Sequence, residues 1–429
     1  MDYRKIKNQV MRAIENDPLD EFAYRDLYSL ICDYAVEDYK KAYLFNLQLR
    51  RKVRENKELA FSKEKYEVLQ SFDELEFKSL VFGAKNYFDD YLQAVEYWKP
   101  YNKKFYLPRR GYLKRYVDGY QEILDGELDF LSLSIIKRGG KSTIGINFCA
   151  LMAGLYPGKS ILMEGTGDDL VKSFYNGVLE YLQVPSNYSY YDIFPDRKVV
   201  QTNYESKIVN LDERSRFPTI MCRSIDARQV GLSEATSLLY LDDCVEGREE
   251  AKNRQRLDDK WEIISGDVLG RAIEGTPVVI CGTRYSIYDP IGRMQEEMLK
   301  QGKRVKIIET PALDPVTDES NFEFELDGQK IFTTRYFRDQ RSMLSEEQWE
   351  SEFQQQPFEA RGVLFPKKDL NYYFKLPVDV EADAVMAFCD VAEGGGDYCA
   401  MPVLAVYGQD AYLVDVMFDD SPATATKPE

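Results

Sequence analysis

The residues best placed to do chemistry lie in Phe130-Leu-Ser-Leu-Ser-Ile-Ile-Lys-Arg-Gly-Gly-Lys-Ser-Thr143, followed by the apolar helical pattern Ile144 to Leu155. An apolar strand that runs into a Gly-rich turn and then opens a helix is a cradle for phosphate. Gly139 and Gly140 let backbone amides curl around anionic oxygens, and the new helix start adds unpaired amides and partial positive charge. Lys141 is expected to reach the β- and γ-phosphates of a nucleotide, and Ser142, beside Thr143, to supply a magnesium ligand. The run meets the GxxxxGK[ST] pattern except at its first position, where Ile135 replaces glycine.

A second run, Ser237-Leu-Leu-Tyr-Leu-Asp-Asp-Cys244, carries four apolar residues into two adjacent acids. A buried strand that delivers a carboxylate at its end is the Walker B arrangement. Asp242 is expected to hold magnesium, and Asp243 to orient and deprotonate the attacking water, with Glu246 as the alternative base. A third run, Pro277-Val-Val-Ile-Cys-Gly-Thr283, places Gly282 and Thr283 at a strand end, where they are read as sensing the γ-phosphate. The chain contains no histidine. Ser/His/Asp and Cys/His nucleophiles, His-ligated zinc and imidazole acid–base catalysis are therefore excluded. Chemistry must rest on carboxylates, lysine, arginine, hydroxyls, backbone amides or a hard metal.

The elements that must position these residues follow from texture. At roughly 150 residues per domain, 429 residues suggest two or three domains. Residues 1–95 read as a helical segment, with apolar residues at three-to-four spacing such as Ala42, Phe45 and Leu49. Residues 96–335 alternate short apolar runs with helical stretches. The runs are Phe130–Ile136, Ser160–Met163, Thr219–Cys222, Leu238–Leu241, Val278–Cys281 and Val305–Ile308, which predict an α/β fold with a mostly parallel sheet flanked by helices. Residues 336–380 read as a linker with a connecting helix over Ser342 to Pro357, and 381–429 as a further strand-rich piece. The seven scattered cysteines form no CxxC and suggest reduced, buried thiols. The start of the chain lacks the apolar core of a signal peptide, and no apolar run approaches a bilayer span, so a soluble intracellular protein without membrane contact is expected. A net charge of −17 argues against a generic polyanion binder.

Taken together, the motifs resemble the large terminase subunit of tailed bacteriophages, from about Phe105 to Asp420. The residues that carry the likeness are Phe105-Tyr-Leu-Pro-Arg-Arg110, Asp125-Gly-Glu-Leu-Asp129, Arg138-Gly-Gly-Lys-Ser-Thr143 and Phe217-Pro-Thr-Ile-Met-Cys-Arg-Ser-Ile-Asp226. Leu238-Leu-Tyr-Leu-Asp-Asp243, Gly282-Thr-Arg284, Tyr288-Asp-Pro-Ile-Gly292 and Gly362-Val-Leu-Phe365 continue it. The resemblance implies an ASCE-type P-loop ATPase that uses ATP and Mg²⁺ to drive double-stranded DNA into a procapsid. In that family the basic residue before the loop's glycine contacts the nucleotide and helps trigger hydrolysis. Arg138 matches that slot, with Lys137 beside it, and Gln121 falls where adenine-contacting residues lie. The family works as a ring, a pentamer docked on the portal protein, together with a small terminase subunit, in the host cytoplasm. Arg228, Arg248 and Arg284 are candidates for an arginine donated to a neighbour.

Residues 384–420 resemble the opening three-stranded meander of the family's RNase H-like nuclease. Asp390 matches the first metal-binding aspartate, for Mg²⁺ or Mn²⁺, and Asp397 on the Gly-rich turn is the assisting acid. The chain stops at Glu429, ahead of the family's later metal-binding acids, so ATP hydrolysis with poor DNA cleavage is expected. Two other readings of the residues stand beside this one: a P-loop DNA helicase or DNA-dependent ATPase, and a non-catalytic nucleotide-binding scaffold.

Overall fold

The computed structural model describes residues 2–227, 233–358, 371, 373, 375–377, 380–389 and 399–419. Two compact units divide the chain, residues 1–360 and 361–429.

The first unit opens with helices α1 (Tyr3–Asn16), α2 (Glu21–Glu37), α3 (Tyr39–Ser62), α4 (Tyr66–Ala84) and α5 (Phe88–Val95). Asp2, Asp20 and Asp38 cap the first three by accepting hydrogen bonds from amides of the first turn. Tyr24, Leu27, Leu49, Val53 and Phe72 form their shared core. Leu80, Ala84, Phe88 and Tyr91 pack instead with Tyr120 and Phe148 in the main core of the unit. The boundary expected at 95/96 is therefore not a break in packing: α5 and the end of α4 belong to the same hydrophobic body as the sheet. The buried Arg50 guanidinium, bonded to Asp90 at 2.5 and 2.8 Å, ties α3 to α5.

Helix α6 (Tyr106–Leu124) leads into the sheet, built from β1 (Phe130–Ser134), β2 (Ile161–Gly165), β3 (Val199–Asn203), β4 (Ile208–Leu211), β5 (Ile220–Ser224), β6 (Leu238–Asp242), β7 (Val278–Gly282) and β8 (Val305–Glu309). Its order is β3-β4-β5-β2-β6-β7-β1-β8. Strands β5 to β8 in that order run parallel, and the β3–β4 hairpin adds an antiparallel edge. The six apolar runs expected from the sequence are all strands, shifted by a residue or two. The hairpin has no comparable signal in the sequence, because its residues, Val-Val-Gln-Thr-Asn in the half-exposed edge strand β3 and Ile-Val-Asn-Leu in the mostly buried β4, mix polar with apolar.

Strand alternation makes this a three-layer body. Leu131, Leu133, Tyr240, Val279 and Cys281 face one core, shared with α6, α7 (Lys141–Leu155) and α8 (Asp168–Leu182). Phe130, Leu239, Leu241, Val278 and Ile280 face the other, closed by Ile264, Ile291 and Met294. Short helices α9 (Tyr190–Ile193), α10 (Arg248–Ala251) and α11 (Arg254–Glu262) complete this part, with α12 (Pro290–Lys300), which carries Ile291 and Met294. Between the layers the strand ends Ser134, Gly282 and Asp242 lie level, since Ser134 pairs with Gly282 and Cys281 with Asp242.

After β8 come the hairpin β9 (Phe324–Leu326) and β10 (Gln329–Ile331), then α13 (Thr334–Met343) and α14 (Glu346–Gln348), then one wide turn, Trp349–Phe353. The linker expected from 336 is corrected here. Trp349, Glu352 and Gln355 are buried, and the division between units falls only at 360/361. A Glu- and Gln-rich composition suggests a solvated stretch, but Trp349 and Phe353 at helical spacing stack on one another and anchor the segment.

In the second unit β11 (Ala384–Ala387), β12 (Cys399–Tyr407) and β13 (Asp410–Asp419) form an antiparallel meander in the order β11-β12-β13. Gly408, at φ +62°, makes the tight turn from β12 to β13. Asp390 and Asp397 lie outside the described residues, as do Arg228 and the Gly362–Phe365 run. Among the described residues no helix is long and apolar enough to cross a membrane.

Candidate nucleotide site

The phosphate loop sits at the carboxyl end of β1, where strand, turn and helix follow one another. Arg138 (φ +64°) and Gly140 (φ +94°) both adopt left-handed backbone, which turns successive amides toward one concavity. Gly140 precedes α7, whose first amides have no partner inside the helix. Both glycines are required by crowding. A Cβ on Gly139 would stand 2.6 Å from Ile135 Cγ2, and one on Gly140 would stand 2.8 Å from Phe105 Cζ.

The missing first glycine is explained by the same packing. Ile135 is fully buried beneath the loop, its amide donates to the Gly282 carbonyl at 3.1 Å, and its own carbonyl accepts from Thr283 Oγ1 at 3.0 Å. Position 135 thus behaves as an extension of β1 rather than as a free turn. Thr283, read from the sequence as a phosphate sensor, has its hydroxyl committed to tying the end of β7 to the loop's entry. Gly282 stands beside Asp243, leaving room that a side chain would take: its added Cβ would be 3.3 Å from Asp243 Oδ1.

Strand β7 separates β1 from β6, so the loop and the acidic strand end face each other across one intervening strand. Lys141 spans that gap, with Nζ 3.0 Å from Asp243 Oδ2. Burial alone would lower the Lys141 pKa, but Asp243 and then Asp242 outweigh it and raise it, so the ammonium stays charged. Asp243 follows β6 with left-handed backbone (φ +43°), which swings its carboxylate from the strand line toward Lys141.

Asp242 is fully buried, and neither of its carboxylate oxygens is in a formed hydrogen bond. Burial pushes its pKa up to about 7, Asp243 adds to the rise, and Lys141 and the nearby Ser142 hydroxyl oppose it. A buried carboxylate with no donor nearer than that one hydroxyl is costly unless something is meant to fill the place. A divalent cation fits this donor set: one buried carboxylate and one hydroxyl, both hard oxygens. Among the described residues no three acidic or cysteine side chains gather as a metal cluster. A cation here would rest on Asp242, Ser142 and the oxygens of its nucleotide.

The remaining expected residues divide. Lys137 is half-exposed at the loop and bonds Glu352 at 2.9 Å, while Arg138 is exposed and forms no ion pair among the described residues. Thr143 lies in the first turn of α7. Glu246 is exposed, and its amide donates to the Glu250 carboxylate. Arg284 is corrected as an arginine for a neighbour. It is buried, held by Asp289 at 3.0 and 3.1 Å and by Glu309 at 2.9 Å.

Gln121 is also corrected. Its amide caps α5, accepting from the Phe88 amide at 2.8 Å and donating to the Asn86 carbonyl and Asp125. The neighbouring Glu122 pairs with Lys306 at the start of β8, level with the start of β1 and so at the end of the strands opposite the loop. The end of α6 that meets the loop is the other one, at Phe105, roughly 24 Å away along the helix at 1.5 Å per residue. Gln121→Ala is therefore expected to leave the KM for ATP within about twofold while lowering stability by about 1–2 kcal/mol through the unpaired Phe88 amide. Parallel kinetics and thermal melts check this.

Sequence reasoning missed Glu352 and Gln355, which reach this site from far along the chain, and gave Phe105 no role. Phe105 touches Gly140, and the Arg109 guanidinium lies 5.4 Å from its ring and 4.5 Å from that of Phe324.

No protein-family model and no curated protein matches the chain. Among solved structures it is similar to the large terminase of bacteriophage HK97, at 12% identity and a TM-score of 0.36, over 70% of this chain and 62% of that one. It is also similar to the large terminase of a thermophilic bacteriophage, at 10% identity and a TM-score of 0.34, over 73% of this chain and 68% of that one. That second terminase in complex with ATP-gamma-S gives 9% identity and a TM-score of 0.31, over 68% and 63%. The chain thus spans less than two thirds of the HK97 protein's length. Superpositions this loose fix no family, and the chemistry of the site has to come from the chain's own residues.

Proposed function

We propose that this chain is a Mg²⁺-dependent ATPase acting as the motor subunit of a terminase-type machine that packages double-stranded DNA. The observation that carries the ATPase reading is the buried, unbonded Asp242 carboxylate beside Ser142, directly across β7 from a phosphate loop whose lysine is already paired with Asp243. Mg²⁺, held by Ser142 and Asp242, would screen the negative charge of the β- and γ-phosphates. Loop amides and Lys141 bind and orient those phosphates. As Lys141 turns to the nucleotide, Asp243 is released to take a proton from the attacking water. Arg138, exposed at the loop, is assigned to the charge that develops on the transferred phosphoryl group. The base end is assigned to Phe105, which borders Gly140, and to Arg109, whose guanidinium lies over the Phe105 ring.

The motor reading rests on the sequence motifs shared with large terminases. The net charge of −17 suits a translocating machine, which must hold DNA by brief local contacts, since strong bulk attraction would stall it. Ring assembly on a portal, with DNA and a small terminase subunit as partners, belongs to the same proposal.

Steady-state ATP hydrolysis tests the centre. Lys141→Ala is expected to lower kcat/KM by at least ~10²-fold, the scale of a lost phosphate-stabilising cation. Undiminished turnover in that variant would remove the assigned site. The motor reading is tested with portal-bearing procapsids: ATP-driven protection of duplex DNA from nuclease is expected of the parent chain and not of Lys141→Ala. Unwinding of a forked duplex without procapsids would favour the helicase alternative instead.

A further inference from the structure

Residues 349–355 touch the exits of three adjacent strands. Glu352, buried, bonds Lys137 of the phosphate loop after β1 and Arg248 of α10 after β6. Gln355, fully buried, accepts at 3.0 Å from the Arg284 amide after β7 and donates from its side chain to the Glu352 carbonyl. In the sheet these strands are neighbours, in the order β6-β7-β1. The turn therefore roofs the strand ends at which the nucleotide site is built. It is fixed on its other side by Phe353, whose carbonyl accepts from the Ala312 amide, and by Gln354, bonded twice to Leu313.

One carboxylate here serves two cations, one on the phosphate loop itself and one on the segment that follows β6. Lys137 and Arg248 are part-exposed, whereas Glu352 is not. A polyphosphate entering the loop competes for the same two cations, and it is the stronger anion. If they turn to it, Glu352 is left as a buried charge without counterions, which is costly unless the segment loosens. Nucleotide binding and the fastening of the turn are then opposed. We infer that Glu352 is a positioning residue: it clamps residues 349–355 over the site through Lys137 and Arg248, and nucleotide binding draws those cations off and releases the turn. The inference rests on the nucleotide-site reading above and adds the element that responds to occupancy. The turn precedes the division between the two units at 360/361 in the chain, so its release lies on the covalent route from the first unit to the second.

Linkage gives this a sign that a merely structural role lacks. Removing the clamp's charge removes the competition, so Glu352→Gln is expected to bind ATPγS with Mg²⁺ about 5- to 10-fold more tightly than the parent chain, in the range of ordinary coupling between sites. A residue that only supported the fold would weaken binding or leave it alone. Trp349, buried in the same turn, supplies a second readout once the other two tryptophans are replaced as Trp98→Phe and Trp261→Phe. Its emission is expected to shift when ATPγS binds the parent chain, and to stand at the shifted value before addition in Glu352→Gln. Lys141→Ala separates the two readings. Binding that is lost in Lys141→Ala but unchanged or weaker in Glu352→Gln overturns the clamp and leaves the nucleotide site standing. Absence of binding in the parent overturns both. Should Glu352→Gln fail to fold, an unchanged Trp349 emission in the parent chain at saturating ATPγS overturns the clamp by itself.

Discussion

Asp243→Asn is expected to lower kcat for ATP by about 10²–10⁴-fold, the usual contribution of a positioned general base, while binding of ATPγS is retained or tightened. Asparagine keeps the shape of the side chain and loses its capacity to take a proton. The binding half of the prediction follows from the ion pair: Lys141 sits 3.0 Å from Asp243, and that bond must be given up for Lys141 to reach a phosphate. Weakening the competitor frees the lysine. The geometry also favours Asp243 over Glu246 for the proposed role. The left-handed backbone at 243 turns its carboxylate toward the loop, and Gly282 leaves the adjoining space open, whereas Glu246 is exposed. Rapid-quench measurement of a single turnover, with equilibrium binding in parallel, tests both halves. Turnover that survives Asp243→Asn and falls in Glu246→Gln would move the base to position 246.

Asp242→Asn is expected to separate activity from stability. Loss of the buried carboxylate removes a metal donor, and with the metal several kcal/mol of charge stabilisation, so turnover should fall by at least ~10²-fold. The metal-free protein should meanwhile become more stable. The folded-state pKa of Asp242 lies at about 7, raised first by burial and then by Asp243, against about 3.9 in an unfolded chain. At pH below about 4 both states hold the proton and the group adds no difference. Between about 4 and 7 the folded state keeps a proton that the unfolded chain releases, so the parent loses stability as pH rises. Above about 7 the full cost is present. Asparagine does not titrate. In EDTA its advantage over the parent should grow from pH 5 to pH 7 and then hold, reaching on the order of 4 kcal/mol, less whatever the buried asparagine amide itself costs. A parent chain more stable than Asp242→Asn at pH 8 without metal would mean that Asp242 is satisfied by the protein itself and is not waiting for a cation.

What could be read in the sequence was what is local. The strand, Gly-rich turn and helix from Phe130 to Leu155 are contiguous, and each step is dictated by neighbouring residues: a fully buried run, two glycines that crowding requires, then an apolar helix. The same holds for β6 ending in Asp242 and Asp243, because a short apolar run that leads into two acids reads as a buried strand carrying carboxylates at its end. The parallel sheet followed from such runs alternating with helices. Position 135 shows how far a pattern reaches. Isoleucine breaks the motif on paper, yet it is accommodated because its side chain packs beneath the loop.

Tertiary structure decided whatever depends on which end of an element, or which distant segment, arrives at the site. Helix α6 presents Phe105 to the loop and turns Gln121 away, because a helix of its length has only one end near any point, and periodicity says nothing about which. Arg284 reads as a surface cation until Asp289 and Glu309 are seen to enclose it. Glu352 stands 215 positions from Lys137, in a stretch whose composition is that of a solvated linker. Charge on a lone glutamate carries no local signature of burial; only the fold brings Lys137 and Arg248 to it and makes burial tolerable. The sequence by itself thus determined the groups proposed to hold a phosphate and a cation, since their placement is set by short-range backbone and burial. Which cations are free to act on a nucleotide, and which are held elsewhere, was decided by the long-range contacts of the folded chain.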